Sequence, residues 1–407
     1  MFWEKTDKTS SEGGVCIFGC EGLLGAELLN LFSSFGELDL NDSVSFCADH
    51  SWQSAIKKQA LSILSGPLEA FINHKRFLDK NGSAGSAAKT LPSQRAFPRV
   101  RGFTRKDCDI TDPRRVSEIL RSFKPEIIIN GAAYTNVDRA ELEWDKAWNT
   151  NTRAVGLLAL EAAEIGARLV HFSTDFVYER ARIPTRRKNR LSLIGGEKGE
   201  AVRNKRVGKK CSSLLENNVE REFEGFRETD PPTPVPKGKY ALSKLEGEKE
   251  VLINNPENTL VMRVGNLYGE SGKNFPSLLA RKLQVSEEHH RLMLDYSRVM
   301  SPTWARCVAL QVLCLVLNDA PAGLYHATCE GSATWADFAE EICRLLKIPP
   351  KFKKVSSKDL NLPAPRPDFH VLENTELGSL GLDIMPHWRF ALAGYLADCG
   401  FRPKGSV

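Results

Sequence analysis

The sequence predicts an α/β fold in which helices cover both faces of a doubly wound parallel sheet. Apolar runs of strand length alternate with segments of helical periodicity along much of the chain. The strand candidates are apolar at successive positions, as in strands buried on both faces, and a glycine-rich turn joins the first of them to a helix. From about residue 270, prolines and irregular turns become more frequent, which predicts a smaller second lobe.

The two kinds of element follow one another in order. Strands are predicted at "VCIFG" (15–19), "PRVRGFTR" (98–105), "EIIINGAAY" (126–134), "ARLVHFSTDFVY" (167–178) and "TLVMRVGNLYG" (259–269). Helices are predicted at 23–36, 112–125, 147–166, 240–255 and 307–320. Asp112 suits a helix N-cap, Pro113 suits the first helical position, and Gly166 suits a C-terminal cap.

Two segments interrupt this alternation and are predicted to be insertions. Residues 41–96 separate the first helix from the second strand, where a simple strand–helix–strand unit needs only a few residues. Residues 180–227 are rich in arginine and lysine, which predicts a solvated loop. Residues 13–265 are then expected to form the first domain. Residues 266–407 would form mainly the second lobe, with some segments returning to the first domain.

Composition narrows the class of protein. The 407 residues carry a formal net charge of +5 at pH 7, which does not call for a nucleic-acid partner. No apolar run reaches the ~18 residues that a membrane helix needs, and the first residues lack the apolar core of a signal peptide. The ten cysteines show no metal-ligand spacing and are expected to be reduced thiols. We therefore expect a cytoplasmic protein with no membrane contact and no structural metal.

Gly19, Gly22 and Gly25 occupy the turn between the first strand and the first helix. Backbone N–H groups at a helix N-terminus, together with the helix dipole, favour an anion at such a turn. Gly19 would form the tight turn, Gly22 would let a pyrophosphate approach the backbone, and Gly25 would let the helix pack closely on the strand. The spacing is GxxGxxG rather than GxGxxG, so an ordinary glycine turn stays an alternative to a dinucleotide site.

The end of the second strand bears on which dinucleotide would bind. A strand at "RVRGF" places Thr104 and Arg105 beside the cofactor's ribose, and a basic residue there suits the 2′-phosphate of NADPH. An alternative strand at "SVSFCAD" (43–49) ends in Asp49 and would suit NADH. We favour Arg105, because "RKDCDITD" runs directly into the next element; a solvated surface charge is the remaining alternative for this residue.

Tyr240 and Lys244 lie four residues apart in "YALSK", so they share one face of the predicted helix. A nearby ammonium is expected to lower the pKa of the phenol, ordinarily about 10, and so suit it to proton exchange with a carbonyl or hydroxyl oxygen. Ser173 and Thr174 end a predicted strand, at the edge where ligands of α/β sheets bind. Together with the glycine turn, these residues are a far more specific signal than the YxxxK spacing alone.

Several motifs in order carry a resemblance to a known family. They include "FGCEGLLG", "CDITDPRRV", "PEIIINGAAYTNVDRAE", "STDFVY", "PVPKGKYALSKLEGEK", "SPTWA" and "GLYHATCEGSATWADFA". Outside the two insertions, the chain resembles the dTDP-4-dehydrorhamnose reductases, within the extended short-chain dehydrogenase/reductase superfamily. The resemblance implies a Rossmann-type NADP-binding domain and a C-terminal substrate-binding lobe. It also implies transfer of hydride from NADPH to C4 of a dTDP-linked 4-keto-6-deoxy sugar, giving dTDP-L-rhamnose.

The resemblance also implies roles for individual positions. Tyr240 would protonate the C4 oxygen, Lys244 would lower the pKa of that tyrosine and hold the nicotinamide ribose, and Thr174 would hydrogen-bond the same oxygen. The implied cofactor-binding positions are Gly19, Gly22, Leu23, Leu24, Gly25, Thr104, Arg105, Asp109, Ile110, Ala132, Ala133, Tyr134, Tyr240 and Lys244, with Ala132 to Tyr134 placed after the fourth strand. The implied substrate-binding positions are Val137, Asp175, Asn266 and Arg366, and Asn151 would support the site from its helix.

Two stretches depart from the family pattern. Asn266 stands where a tryptophan that packs on the sugar is common. In "PRPDFHVL" (365–372), Arg366 is retained, but Phe369 and His370 replace an asparagine–serine pair. Neither change removes the predicted catalytic residues.

Other functions are consistent with the same residues. The regulatory β subunit of methionine adenosyltransferase also resembles this family, and a protein of that kind would bind NADP and a partner enzyme without catalysis. A sugar epimerase of the same superfamily would hold NAD, against which Arg105 argues. Members of the family include dimers, so a homodimer is one expectation. A magnesium ion is left open, since "EEHH" (287–290) offers acidic groups, but no residue is assigned to a metal.

Overall fold

The computed structural model describes residues 14–36, 97, 99–179, 224–271, 275–285 and 292–403. The strands are β1 (Gly14–Phe18), β2 (Arg99–Phe103), β3 (Ile127–Asn130), β4 (Arg168–Thr174), β5 (Thr259–Val264), β6 (Leu267–Tyr268), β7 (Met293–Asp295), β8 (Val299–Met300), β9 (Thr303–Trp304), β10 (Gly323–His326), β11 (Lys353–Val355) and β12 (Phe369–His370). The helices are α1 (Leu23–Gly36), α2 (Pro113–Phe123), α3 (Val137–Ala140), α4 (Trp144–Trp148), α5 (Ala154–Glu164), α6 (Lys239–Asn254), α7 (Phe275–Val285), α8 (Ala305–Leu317), α9 (Trp335–Leu346), α10 (Thr375–Ser379) and α11 (Trp388–Asp398).

The central sheet confirms the predicted parallel architecture. Within the described residues it has six strands in the order β2–β1–β3–β4–β5–β10, and each neighbouring pair is parallel. The chain adds β2 on one side of β1 and then β3 on the other, so its direction of travel reverses at β1. Ligands of open α/β sheets bind where strand order reverses, outside the carboxyl ends of the strands.

Alternate residues of β1 show that both faces of the sheet are covered. Val15 and Ile17 belong to an apolar cluster that includes residues of α1 and α8, whereas Cys16 and Phe18 belong to a cluster with residues of α2 and α5. Because successive side chains of a strand point to opposite faces, this division places helices on both sides. The doubly wound prediction is therefore confirmed.

The predicted signals at the helix ends are also present. The Asp112 side chain accepts hydrogen bonds from the N–H groups of Arg114 and Arg115, and Pro113 is the first residue of α2. Gly166 follows α5 with a φ of 70°, a left-handed conformation that glycine adopts without steric cost. The long helix predicted over 147–166 is instead interrupted, because a π-helical turn at Asn149–Arg153 separates α4 from α5.

The C-terminal part of the chain forms small parallel strand pairs. They are β6 with β9, β7 with β11, and β8 with β12. β10 leaves this part and joins the edge of the central sheet beside β5. One segment from the C-terminal region therefore returns to the first sheet.

Some details differ from the sequence predictions. The strand "EIIIN" is the third strand along the chain in the described residues, so Ala132 to Tyr134 follow the third strand rather than the fourth. The strand predicted over 167–178 ends at Thr174 and continues as a 3₁₀ turn, Asp175–Val177. The alternative strand at 43–49 and nearly all of both predicted insertions lie outside the described residues. None of the described helices combines the length and the apolar character needed to span a membrane.

Candidate active site

The glycine turn after β1 has the close contacts that glycine alone permits. Gly19 has a φ of 74°, and a Cβ atom there would lie 2.6 Å from the backbone nitrogen of Ala132. A Cβ at Gly25 would lie 2.2 Å from the carbonyl oxygen of Gly19, and one at Gly22 would lie 3.2 Å from the same oxygen. The first turn of α1 therefore packs directly on the loop, with its N–H groups at the carboxyl edge of the sheet. This cradle fits the pyrophosphate of a dinucleotide.

The leucines of this turn are mostly committed to packing. Leu24 is 7% exposed and lies in the apolar core, and Leu23 packs partly against it. Since their side chains face inward, they would contribute backbone N–H groups to a cofactor rather than side-chain contacts.

The end of β2 lies beside the glycine turn, where the second strand was predicted. The N–H groups of Gly19 and Cys20 donate to the carbonyl oxygen of Phe103, at 2.9 and 3.3 Å. Arg105 follows two residues later, with its side chain 80% exposed, and its Nε donates to Asp109 Oδ2 at 2.9 Å. A cation therefore stands at the position that would face the ribose of a bound dinucleotide.

Two aspartates accept hydrogen bonds from the residues of the turn that carries Arg105. The N–H and hydroxyl groups of Thr104 donate to Asp107 Oδ2. Burial opposes ionisation of Asp109, but hydrogen bonds from Thr111 and the contact with Arg105 outweigh it and lower the pKa of Asp109. Ile110, another implied cofactor-binding position, is 4% exposed and packs in the core.

Asn151 fixes the segment that follows β3. Its Oδ1 accepts from the N–H group of Tyr134 at 2.8 Å, and its Nδ2 donates to the Tyr134 carbonyl oxygen and to Ser243 Oγ, both at 3.0 Å. Asn151 lies in the π-helical turn and is 1% exposed. It therefore ties Ala132–Tyr134, which are partly exposed, to the helix that carries the tyrosine.

Tyr240 lies at the start of α6, next to Thr174 at the end of β4. The pKa of Tyr240 is raised to about 12. Burial of its hydroxyl is the largest cause and the charge of Asp175 adds to it, while the hydrogen bond with Thr174 acts in the opposite direction. The prediction that Lys244 would lower this pKa is wrong for this structure. Burial and the carboxylate dominate, and the Tyr240 phenol stays protonated at neutral pH.

Lys244 lies one turn further along α6 and is 3% exposed. Its Nζ donates to the backbone carbonyl oxygen of Phe172 in β4, at 2.6 Å. Burial lowers the pKa of Lys244 to about 8, and the Glu248 carboxylate, one turn beyond, opposes this shift. Glu248 was not singled out from the sequence, although its i,i+4 spacing from Lys244 was a usable signal.

A buried ion pair between Glu248 and Arg263 holds α6 against the sheet. Glu248 accepts from Arg263 Nε at 2.9 Å and from Arg263 Nη2 at 2.6 Å, and Arg263 Nη1 donates to the hydroxyl of Tyr178 at 2.5 Å. The Arg263 and Glu248 side chains are 3% and 4% exposed. This network joins α6 to β5 and to the segment after β4, so it holds the tyrosine helix against the sheet.

Asp175 follows Thr174 and collects several hydrogen bonds. Its Oδ2 lies 2.6 Å from His370 Nδ1 and 3.2 Å from Asn266 Nδ2, and Thr174 Oγ1 donates to its Oδ1 at 3.2 Å. The sequence singled out each of these residues but not their contact with one another. Asn266, which has a φ of 41°, reaches Asp175 from the segment after β5.

Arg366 pairs with Asp138, a partner that the sequence did not suggest. Arg366 Nη1 and Nη2 each donate to Asp138 at 2.9 Å, and Asp138 directly follows Val137 at the start of α3. Hydrogen bonds from Arg366 lower the pKa of Asp138. The Arg366 guanidinium is thus paired, while its side chain still lines a cavity of about 390 Å³.

The cavity lined by Arg366 is rich in cations. Its lining includes Lys237, three residues before Tyr240, together with Arg298, Lys358 and Arg366. Arg298 contacts Asp295 at 3.5 Å, and its buried Nε has no hydrogen-bond partner among the described residues. Lys237, Arg298 and Lys358 carry no signal in the sequence, because only the packing of the C-terminal segment places them together.

Among the described residues, no group of three or more histidine, cysteine, aspartate or glutamate side chains is arranged to hold a metal ion. Residues 287–290 lie outside the described part of the chain. His171 is fully buried in β4, and its Nδ1 lies 3.3 Å from Asn130 Nδ2.

Comparisons with known proteins identify the family to which this chain belongs. A family model described as the RmlD substrate binding domain matches residues 78–189 and 219–400. The spore coat polysaccharide biosynthesis protein SpsK of Bacillus subtilis is 29% identical over 300 residues, which cover 74% of this chain and 88% of that protein. A dTDP-4-dehydrorhamnose reductase of Mycobacterium tuberculosis is 30% identical over 319 residues, 78% of this chain and 91% of that protein.

The fold has matches among solved structures as well. A dTDP-4-dehydrorhamnose reductase from Bacillus anthracis, in complex with NADP, superposes with a TM-score of 0.66 at 22% identity, covering 95% of this chain and 99% of that one. The family model spans more than half of the chain, and the Mycobacterium tuberculosis relative aligns over most of its length. The chain therefore belongs to the RmlD family, that of the dTDP-4-dehydrorhamnose reductases, as its motifs predicted.

Proposed function

We propose that the chain reduces the C4 ketone of dTDP-4-dehydrorhamnose to give dTDP-L-rhamnose, with NADPH as the hydride donor. The observation that carries this proposal is the position of Thr174, Tyr240 and Lys244. All three lie at the carboxyl edge of the sheet, the same edge that presents the glycine turn and Arg105. Two relatives support the assignment: a reductase of this name aligns over 78% of the chain, and another of the same fold binds NADP.

The cofactor would be held by the residues of this edge. The N–H groups at the start of α1 would bind the pyrophosphate, Arg105 would pair with a 2′-phosphate, and Lys244 would hold the nicotinamide ribose. NADPH, when bound, supplies the hydride that reduces C4. Ala132, Ala133 and Tyr134, which follow β3, would line the cofactor. Asn151 fixes the backbone of this segment at Tyr134.

Tyr240 provides the proton that the reduction consumes. Because the pKa of Tyr240 is raised to about 12, its phenol carries a proton across the physiological range. Reduction of a ketone generates negative charge on oxygen, so a protonated donor within hydrogen-bond reach is what this direction of reaction needs. Thr174, which is hydrogen-bonded to Tyr240, would contact the same substrate oxygen.

The cavity lined by Lys237 and Arg366 suits the nucleotide end of the substrate. Its cations, Lys237, Arg298, Lys358 and Arg366, outnumber its acidic residues, Glu179 and Asp368. Guanidinium and ammonium groups pair favourably with phosphate oxygens, so a diphosphate is the ligand chemistry that this lining favours. Asp175, Val137 and Asn266 would lie towards the sugar.

The test is turnover with purified protein, NADPH and dTDP-4-dehydrorhamnose, followed by the loss of nicotinamide absorbance. Tyr240→Phe is the matched variant, since it removes only the hydroxyl. We expect it to lower kcat by about 10² to 10⁴-fold, the usual contribution of a general acid, while NADPH binding stays close to that of the wild type. If the wild-type protein binds NADPH but consumes none with this or any other 4-keto sugar nucleotide, the protein is a regulatory one and the proposed reaction is wrong.

A further inference from the structure

Each of the two stretches that depart from the family pattern contributes one residue that contacts the same atom, Asp175 Oδ2. His370 Nδ1 lies 2.6 Å from Asp175 Oδ2, and Asn266 Nδ2 lies 3.2 Å from the same oxygen. We call these three residues the Asp175 cluster. Asp175 and His370 are 1% and 3% exposed, so their contact is shielded from water.

Local backbone structure brings the cluster together. Asp175 begins the turn after β4, His370 comes from β12, and Asn266 follows β5 in a left-handed conformation. A Cβ atom at Gly265 would lie 2.5 Å from Asp175 Oδ2, so glycine at this position gives the carboxylate its space. Three separate segments are thus arranged around one carboxylate oxygen.

The direction of the hydrogen bonds follows from the groups present. An ionised carboxylate only accepts, so the 2.6 Å contact requires a hydrogen on His370 Nδ1. That hydrogen prevents Nδ1 from accepting, although Asn266 Nδ2 lies 3.3 Å away from it. The Asn266 amide therefore donates to the carboxylate. Two donors converge on Oδ2, and the hydrogen bond from His370 is short enough to be a strong, charge-assisted one.

The other oxygen of the same carboxylate contacts the catalytic threonine. Thr174 Oγ1 donates to Asp175 Oδ1 at 3.2 Å, and the hydroxyl has only one hydrogen. If Asp175 held that hydrogen firmly, Thr174 could not donate to a substrate oxygen. The short bond is on the His370 side and the long bond on the Thr174 side, so Asp175 holds the threonine hydroxyl more weakly than it holds His370.

We propose that His370, assisted by Asn266, is a positioning residue of the reduction. By binding Asp175 Oδ2 it keeps the hydroxyl hydrogen of Thr174 available to the C4 oxygen of the substrate. This inference rests on the proposed function. His370 does not touch the reacting atoms itself; it acts through Asp175 and Thr174.

A ring contact links the cluster to the tyrosine as well. The Phe176 ring meets the His370 ring edge to face, with ring centroids 5.2 Å apart, and meets the Tyr240 ring in the same manner at 6.2 Å. Asp175 also acts on Tyr240 directly, since its charge raises the pKa of that phenol. A hydrogen-bond donor to Asp175 therefore influences both partners of the substrate's C4 oxygen.

The test compares variants of His370 in steady-state reduction. Asparagine places its amide nitrogen close to the position of Nδ1, glutamine places it further out, and leucine has no donor. We expect His370→Leu to lower kcat by about 10 to 100-fold, as loss of a partner that orients a site residue commonly does, with little change in KM. We expect H370N to recover most of kcat and H370Q to recover less.

A second variant separates positioning from mere packing. Combining Asp175→Asn with H370L removes the unneutralised charge, and we expect its kcat to exceed that of H370L alone. If His370 served only to pack the core, the double variant should have a lower kcat than H370L, because it alters two core residues. Should H370L fail to fold, the kcat values of H370N and H370Q test the inference instead. Both side chains are polar, and they differ in the position of the amide donor.

The inference is overturned if H370L turns over like the wild type, if H370N is no better than H370Q, or if the double variant is slower than H370L. Each of these outcomes leaves wild-type reduction intact, whereas failure of the proposed function is seen as a wild-type protein with no turnover. A strongly downfield Nδ1 proton in the NMR spectrum of the free protein, lost in Asp175→Asn, reports the short bond without any substrate. Its absence from the wild-type spectrum also overturns the inference.

Discussion

The Nζ atom of Lys244 donates a hydrogen bond to the backbone carbonyl oxygen of Phe172, 2.6 Å away. This contact places a buried ammonium at the carboxyl end of β4 and joins α6 to the sheet. The pKa of Lys244 is lowered to about 8, because burial disfavours the charged form. Holding this lysine at the site therefore costs stability whenever it is protonated.

We expect this cost to appear as a pH dependence of unfolding. In the unfolded chain the lysine titrates near 10.5, whereas in the folded protein it titrates at about 8. Between these values the unfolded state binds more protons, so folded stability rises with pH across this window. Relative to Lys244→Met, the wild-type protein should gain on the order of 3 kcal/mol between pH 8 and 10.5, at about 1.4 kcal/mol per pKa unit.

Urea unfolding of both proteins at pH 7 and pH 10 measures this difference. The methionine variant is the control for all other groups that titrate in the same range, since they are common to both proteins. A stability difference that stays constant with pH would show that Lys244 titrates normally. The same variant should lose most reductase activity at every pH.

Removing Glu248 should destabilise the protein more than removing any exposed acid of the same helix. Glu248→Gln leaves the buried Arg263 guanidinium without its counter-charge, and breaking one partner of a buried pair costs about 3–5 kcal/mol. Glu246→Gln is the matched control on α6, because its partner Lys249 is 51% exposed and such pairs contribute about 1 kcal/mol or less. Equal losses in chemical denaturation of the two variants would contradict a buried, unsolvated pair.

The sequence predicted those parts of the site that depend on local pattern. The glycine turn, the end of β2 at Arg105, and the helix carrying Tyr240 and Lys244 each lie within a short segment, and the structure places them at one edge of the sheet. The direction of the Tyr240 pKa was wrong, because spacing reveals the lysine but not the burial of the hydroxyl. Burial is a property of the completed fold.

Contacts between distant segments were beyond the sequence pattern. The sequence marked His370 and Asn266 separately as departures from the family, but only the pairing of β12 with β8 and the left-handed Asn266 bring them to Asp175. In the same way, the sequence marked Arg366 as a substrate-binding position but did not indicate its pairing with Asp138, more than 200 residues away in the chain.

Arg105 should determine the preference between the two nicotinamide cofactors. Its side chain is exposed beside the glycine turn, and loss of a charged partner for the 2′-phosphate should weaken NADPH binding by roughly 10 to 100-fold, about 1.5–3 kcal/mol for a charge-assisted bond. We expect Arg105→Ala to leave NADH binding nearly unchanged. Titration of both cofactors by fluorescence measures the two affinities.

Arg121→Ala is the control for Arg105→Ala. It removes the same charge from the far end of α2, where Arg121 pairs with Glu164 on the surface. Its affinities should match those of the wild type. If Arg105→Ala weakens NADPH and NADH equally, the end of β2 does not contact the 2′-phosphate.

Alanine substitutions at glycines should have effects that follow the space around each glycine. A Cβ at Gly25 would lie 2.2 Å from the carbonyl oxygen of Gly19 and one at Gly22 would lie 3.2 Å from it, whereas nothing lies within 4 Å of a Cβ at Gly378. Gly25→Ala should therefore displace the turn, weaken NADPH binding at least tenfold and lower stability by roughly 1–3 kcal/mol, as overpacking does. Gly22→Ala should show a smaller loss.

Gly378→Ala serves as the matched control, because Gly378 lies in α10 with open space around it. Alanine favours the helix by about 1 kcal/mol relative to glycine, so this variant should be as stable as the wild type or slightly more so. Thermal unfolding and NADPH titration of the three variants give both readouts. If Gly25→Ala bound NADPH as well as Gly378→Ala, the close packing of α1 on the Gly19 carbonyl would not be what shapes the pyrophosphate cradle, and the cofactor would have to be held elsewhere along the sheet edge.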